Sequence, residues 1–133
     1  MDSETICNRI SAQAIKAAVE VHRLLGPGLL ESLYEEALAQ ELAISNLRFE
    51  RQKSFPVTYK GHRLGAEYRV DFVVERRVVL ELKSVSRLES IHEAQLLTYL
   101  RLSGLWLGLL INFNEHLLTR GVKRVVHGFP DPA

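Results

Sequence analysis

The stretch Tyr68-Arg-Val-Asp71-Phe-Val-Val-Glu-Arg-Arg-Val-Val-Leu-Glu81-Leu-Lys83 decides how the chain reads. Two nearly all-apolar runs, Glu67 to Val74 and Val78 to Lys83, are joined through Glu75-Arg76-Arg77 and predict two strands of a hairpin. Alternate residues of a strand share a face, so Glu81 and Lys83 point together while Leu80 and Leu82 point the other way. A turn centred on Arg76 sets Asp71 across from Glu81 and pairs Phe72 with Leu80 and Val74 with Val78. A two-residue turn would set the two acids on opposite faces. Val73 and Val79 leave that register open, and the first is the expectation.

Acids and a lysine in strands rich in Val and Leu are costly to bury unless each has a partner. Two carboxylates side by side repel each other and call for compensating charge. Lys83 supplies one positive charge, and a divalent cation would supply two more. Hard oxygen donors suit Mg²⁺ or Mn²⁺. Such a site has a use in phosphodiester hydrolysis, where a metal activates water and neutralises phosphoryl charge, and a lysine holds the water or the phosphate. The plainer reading makes Glu81-Leu82-Lys83 a surface ion pair on a strand and Asp71 a solvated residue. A lone Glu-x-Lys carries little weight, and the apolar embedding is what raises it.

Working outward, Ile6, Ile10, Ala14, Ala17, Val21 and Leu24 or Leu25 recur at helical spacing and predict an amphipathic helix over Ser3 to Leu25. Gly26-Pro27-Gly28 breaks it. A second helix is expected from about Leu30 to Ile44, with Leu30, Leu33, Tyr34, Ala37, Leu38 and Leu42 buried, and Ser45-Asn46 ends it. Phe55, Val57 and Tyr59 then alternate as a strand, with Pro56 suggesting a sheet edge and Lys60-Gly61-His62 a turn. A third helix is expected from about Leu88 to Leu102. Gln95 and Tyr99 are spaced i,i+4 on it, with His92 one turn earlier; the bland alternative is a core Tyr99 and a solvent-facing Gln95. Leu105 to Phe113 reads as a strand covered on both faces, and Val122 to Val126 as a short further one. The order α-α-β-β-β-α-β predicts an α/β or α+β fold, helices on a mixed sheet.

The 133 residues carry 17 Lys+Arg against 16 Asp+Glu, a net charge of +1, with 47% hydrophobic and 25% charged residues. That composition excludes disorder, collagen and a disulfide scaffold, and the length supports one domain, residues 1–133. The single cysteine, Cys7, cannot form an intramolecular disulfide. No signal peptide and no apolar run long enough to span a bilayer is visible, so a small soluble cytoplasmic protein with no membrane partner is expected. Near-neutral charge argues against holding nucleic acid by bulk electrostatics alone.

Three separated motifs, Gly28-x-x-Glu31-x-x-Tyr34, Ile91-His-Glu-Ala-Gln-Leu-Leu-Thr-Tyr-Leu and Gly108-Leu-Leu-Ile-Asn-Phe-Asn114, resemble the GxxExxY protein family of the PD-(D/E)XK nuclease superfamily. The resemblance runs from about Ile10 to Val126 and implies a restriction-endonuclease-like core, a central mixed sheet flanked by helices. By that resemblance Asp71 is the motif aspartate, with Val70 where the motif has proline, and Glu81-Leu82-Lys83 is the E-x-K. It further implies that Gln95 and Tyr99 form a Q-x-x-x-Y pair, that Glu31 is an additional metal acid, and that the Leu82 backbone carbonyl is a ligand. Glu31 as a mere helix-start charge is the serious alternative.

The expected function is therefore a Mg²⁺- or Mn²⁺-dependent nuclease acting on DNA. Lys83, Asp71, Glu81, Gln95 and Tyr99 are its catalytic set, and Asp71, Glu81, Glu31 and the Leu82 carbonyl its metal set. Arg69, Lys123 and Arg124 stand out among the basic residues available to phosphates, which also include Arg48, Arg51, Lys53 and Arg120. The second hypothesis is a non-catalytic nucleic-acid-binding or protein-interaction module that kept the fold; its signature would be a broken constellation, and here no member is missing. A third, a toxin or defence component, changes the context rather than the chemistry. A chain this small has little surface for sequence readout, so specificity is expected from a homodimer or a partner protein.

Overall fold

The computed structural model describes residues 2–128. Its elements are α1 (Ser3–Leu25), α2 (Glu31–Ile44), β1 (Phe49–Tyr59), β2 (His62–Val74), β3 (Val78–Lys83), α3 (Ser90–Ser103), β4 (Leu107–Asn112), a short 3₁₀ turn (Leu118–Gly121) and β5 (Val122–Val126). The five strands form one sheet in the order β1-β2-β3-β4-β5. β1, β2 and β3 are a meander, α3 carries the chain across to β4 parallel to β3, and β5 returns antiparallel. This is the mixed α+β architecture of a restriction-endonuclease-like core.

The hairpin takes the three-residue turn, with pairs Phe72–Leu80, Val73–Val79 and Val74–Val78. Glu75 and Arg76 adopt positive φ, 52° and 57°, which closes the chain over so few residues. β1 is an edge strand, as Pro56 requires. β4 is buried at every position, which explains its unbroken apolar run.

Alternation along the strands builds two cores. Phe72, Leu80, Leu82, Leu109 and Ile111 face α1 and α2 and pack on Ala14, Val21, Tyr34 and Leu38. Val73, Val79 and Leu110 face α3 and pack on Leu96, Tyr99 and Leu100. α3 lies close on β4 because Gly108 has no side chain: a Cβ there would come within 2.9 Å of the Leu96 side chain.

Leucines expected in the core lie outside, with neither Leu24 nor Leu25 taking the buried place. Leu24 and Leu25 are 68% and 42% exposed, Leu30 and Leu33 72% and 46%. Leu30 precedes α2 in extended conformation, so helical spacing does not apply to it. Tyr34 stacks on Phe113 with ring centroids 4.6 Å apart and sets the rotation of α2. Residues 34, 38 and 42 then point inward and Leu33 is turned away.

Candidate active site

Where β2 and β3 pass the last ladder pair, Phe72–Leu80, their side chains take over the bonding. The Asp71 N–H donates to Glu81 Oε1 (3.0 Å), and the Leu82 N–H donates to Asp71 Oδ2 (2.7 Å). Each acid thus satisfies a backbone donor on the other's strand. The strand itself changes at this point. Val70 packs in the α3 core but Phe72 in the α1–α2 core, so the two-residue alternation is interrupted at Asp71. Opposite it on β1, Gln52 adopts φ 53° and donates to Asp71 Oδ1 at 3.2 Å.

Burial and charge raise both acids' proton affinity. Burial is the main cause for Asp71, moderated by the Leu82 N–H and reinforced by Glu35 and Glu31, and its pKa rises to about 6. Burial and then the neighbouring Asp71 push Glu81 up to about 8, against the Asp71 N–H and Lys83. Glu31 acts on both acids, which puts the first residue of α2 beside the hairpin. Lys83 is half-buried, and among the described residues it makes no ion pair.

The Gly28-x-x-Glu31-x-x-Tyr34 motif has a mechanical explanation. The buried Tyr34 hydroxyl accepts from the Leu29 N–H (3.1 Å) and donates to the Gly26 carbonyl (2.5 Å). Ser84 Oγ, just past Lys83, donates to the Leu29 carbonyl at 2.6 Å. The loop before Glu31 is therefore tied both to its own helix and to the end of β3. Gly28 sits in it at φ 99°, a conformation that disfavours any side chain.

The Gly108–Asn114 motif anchors the other side. Asn112 is fully buried; its Oδ1 accepts from the Val85 and Asn114 N–H groups (3.1 and 3.2 Å), and its Nδ2 donates to the Val85 carbonyl (2.9 Å). The Phe113 N–H donates to the Lys83 carbonyl at 2.9 Å. The turn that leaves Lys83 is thus held from both directions.

Tyr99 is fully buried, packs edge-on against Phe55, and donates its hydroxyl to the Lys53 carbonyl at 2.8 Å. Burial and then Glu81 hold its phenol protonated. Gln95 is exposed, and its backbone carbonyl accepts from Tyr68 Oη at 3.0 Å. Leu82 buries its side chain in the α1–α2 core. The basic residues do not form one patch. Lys123 pairs with Glu93 of α3 (2.9 Å), whereas Arg124 lies on the opposite face, bonded to Asn8 of α1 and stacked over Trp106. Arg69 is exposed on β2, paired with Ser54 in the ladder.

Two residues near the acids escaped the sequence reading. Glu35, one turn after Glu31, pairs with Arg51 at 2.8 Å and accepts from Gln52. The i,i+4 spacing of Glu31 and Glu35 was the available signal. Gln52 had none, since its role depends on the irregularity opposite Asp71.

The donor set suits a hard divalent cation: carboxylates from two adjacent strands, whose repulsion a cation would relieve, and a third acid close enough to act on both. Among the described residues no three His, Cys, Asp or Glu side chains are gathered as a ready ligand cluster. Asp71 and Glu81 are engaged by backbone N–H groups instead.

A five-stranded mixed sheet with helices packed on it is the architecture of a restriction-endonuclease-like core. A family model described as the PD-(D/E)XK nuclease superfamily matches residues 8–125, and the chain belongs to that superfamily. The match spans Glu31, the hairpin and the Gln95–Tyr99 turn of α3. Neither the curated proteins nor the solved structures contain a match. No helix among the described residues is long and apolar enough to cross a membrane.

Proposed function

We propose that the protein is a metal-dependent nuclease of the GxxExxY type that hydrolyses phosphodiester bonds in DNA. The observation that carries the reading is the reciprocal placement of Asp71 and Glu81 at the mouth of the hairpin, with Lys83 two residues further along β3. Asp71, Glu81, Glu31 and the Leu82 carbonyl are the groups that would hold Mg²⁺ or Mn²⁺. That ion, when bound, supplies charge neutralisation at the phosphoryl oxygens and a lowered pKa for water.

The remaining work falls to the chain. Lys83, in no ion pair among the described residues, is available to hold a phosphoryl oxygen or the attacking water. Water attacks phosphorus and gives up a proton to solvent, the bond to one sugar oxygen breaks, and that oxygen leaves with a proton taken from solvent. Gln95, exposed on α3, orients the substrate backbone or Lys83, and Tyr99, buried under β1 with its hydroxyl on the Lys53 carbonyl, acts by positioning that strand. Arg69 and Lys123 contribute phosphate contacts, whereas Arg124, turned toward α1, is left out of them, and a homodimer or partner protein supplies specificity.

The test is cleavage of single- and double-stranded DNA and RNA by purified protein with Mg²⁺ or Mn²⁺, beside Asp71→Ala and Lys83→Ala. Cleavage by the wild type alone supports the reading; equal cleavage by both variants assigns the activity to a contaminant. A second reading, a non-catalytic nucleic-acid-binding or interaction module, draws on one observation. Both oxygens of Asp71 and one of Glu81 already accept internal hydrogen bonds. Binding of DNA without cleavage under every metal condition favours it.

A further inference from the structure

The ladder register places Glu81 beside Leu110 of β4, and Leu110 beside Lys123 of β5. Lys123 thus lies two strands from Glu81, on the same face, and at about 4.8 Å per strand that is roughly 10 Å. The adjoining row runs from Lys83 through Asn112 to the residue before β5, Gly121. A cavity of about 300 Å³ opens there, lined by Arg87, Leu88, Glu115, Arg120, Gly121, Val122 and Lys123.

Three of its lining side chains are cationic and one is anionic. Lys123 is partly neutralised by Glu93. Arg87 and Arg120 are exposed and, among the described residues, in no ion pair. Two planar guanidinium groups facing one cavity match the oxygens of a phosphate diester.

The walls are also rigid. Val85, two residues before Arg87, is held by Asn112 and Asn114. Gly121 lies against β4 so tightly that a Cβ would come within 2.5 Å of the Asn112 carbonyl. The same asparagine therefore fixes both sides of the cavity and the turn after Lys83.

The larger depression, about 410 Å³ around Arg48, Phe49, Glu50, Val73, Glu75 and Arg76, lies at the other end of the hairpin. It carries as many acids as arginines, and Arg48 already faces Glu75 at 3.8 Å.

We infer that the Arg87–Arg120–Lys123 cavity is a phosphate subsite that holds the substrate strand at a phosphate neighbouring the one at Lys83. The inference rests on the nuclease reading for its substrate, but not for its measurement. Binding of a labelled single-stranded oligonucleotide to the full chain is followed against salt, in EDTA so that nothing is cleaved. Each phosphate contact contributes about 0.7 to the slope of log K against log salt.

The double variant Arg87→Gln/Arg120→Gln is expected to lower that slope by about 0.7, the share of one phosphate, while Arg124→Gln on the opposite face serves as the control. In cleavage assays the double variant is expected to raise KM about tenfold with kcat within threefold. An unchanged slope, or an equal loss in the Arg124→Gln control, overturns the subsite. So does saturable binding of inorganic phosphate, lost in the double variant, by a wild type that does not bind the oligonucleotide; that would make the cavity a free-anion site. If the wild type never cleaves but the slope still falls selectively, the nuclease reading fails and the subsite stands.

Discussion

Asp71 and Glu81 cap each other's strands: the Asp71 N–H donates to the Glu81 carboxylate, and the Leu82 N–H donates to that of Asp71. Two acids are thereby held together at the point where the hairpin ladder gives out. Burial of both, and then the charge of Asp71 beside Glu81, weakens the apo protein.

Both carboxyls keep their protons more tightly when folded, Asp71 to about pH 6 and Glu81 to about pH 8, against ordinary values of 3.8 and 4.5. The folded chain therefore binds more protons than the unfolded one from about pH 4 to 8, and stability falls as pH rises through that window. Glu81→Gln keeps a hydrogen-bond acceptor and removes the charge. It is expected to match the wild type at pH 4 and to exceed it by about 1–2 kcal/mol at pH 8, roughly 5 °C in Tm. A variant less stable than the wild type at every pH would refute this account.

A divalent cation should reverse that penalty. Mn²⁺ is expected to raise the melting temperature more at pH 8 than at pH 5, because the ligands must be deprotonated to bind it. Asp71→Asn should abolish the increment. Thermal scans with Mn²⁺ or EDTA across that range decide the matter, and an increment independent of both pH and Asp71 places the ion elsewhere.

Lys83 is half-buried and, among the described residues, in no ion pair, so its removal should affect chemistry more than folding. Lys83→Ala is expected to reduce cleavage about 10²–10³-fold while changing stability by no more than about 0.5 kcal/mol. Lys83 also lowers the proton affinity of Glu81, so in the same variant the loss of stability should begin at the same pH as in the wild type and finish at higher pH. Rates and urea melts measured together separate these effects.

Tyr34→Phe leaves the Leu29 N–H and the Gly26 carbonyl without the hydroxyl that satisfies both. A loss of about 1–3 kcal/mol is expected in urea denaturation. The loop leading into Glu31 loosens with it, so the Mn²⁺ concentration needed for half-maximal stabilisation should rise. An unchanged metal requirement would separate the tyrosine from Glu31.

Asn112→Ala should be the most damaging change outside the acids. It removes three bonds from a fully buried amide and frees the turn after Lys83. A cost of about 2–4 kcal/mol is expected, with hydrogen exchange at Val85 and Asn114 rising ahead of that at Leu109.

What could be read along the chain depended on local physics. Helical spacing over Ser3–Leu25, the Gly-Pro-Gly break, the edge Pro56 and the doubly covered β4 follow from neighbours a few residues apart. The two hairpin strands were legible too, while their register stayed between two choices that Val73 and Val79 both allow, of which the structure takes the three-residue turn. Interaction over long separations was not. The break in alternation at Asp71 depends on Gln52 across the sheet, and the exposure of Leu33 on the stacking of Tyr34 against Phe113. Lys123 and Arg124, adjacent in sequence, were parted by the pleat of β5 onto opposite faces. The sequence by itself determined which acids and which lysine lie on the two strands of the hairpin. Only the tertiary structure decided what each carboxylate bonds to and which distant arginines share a cavity, because those contacts depend on chain packing rather than on spacing.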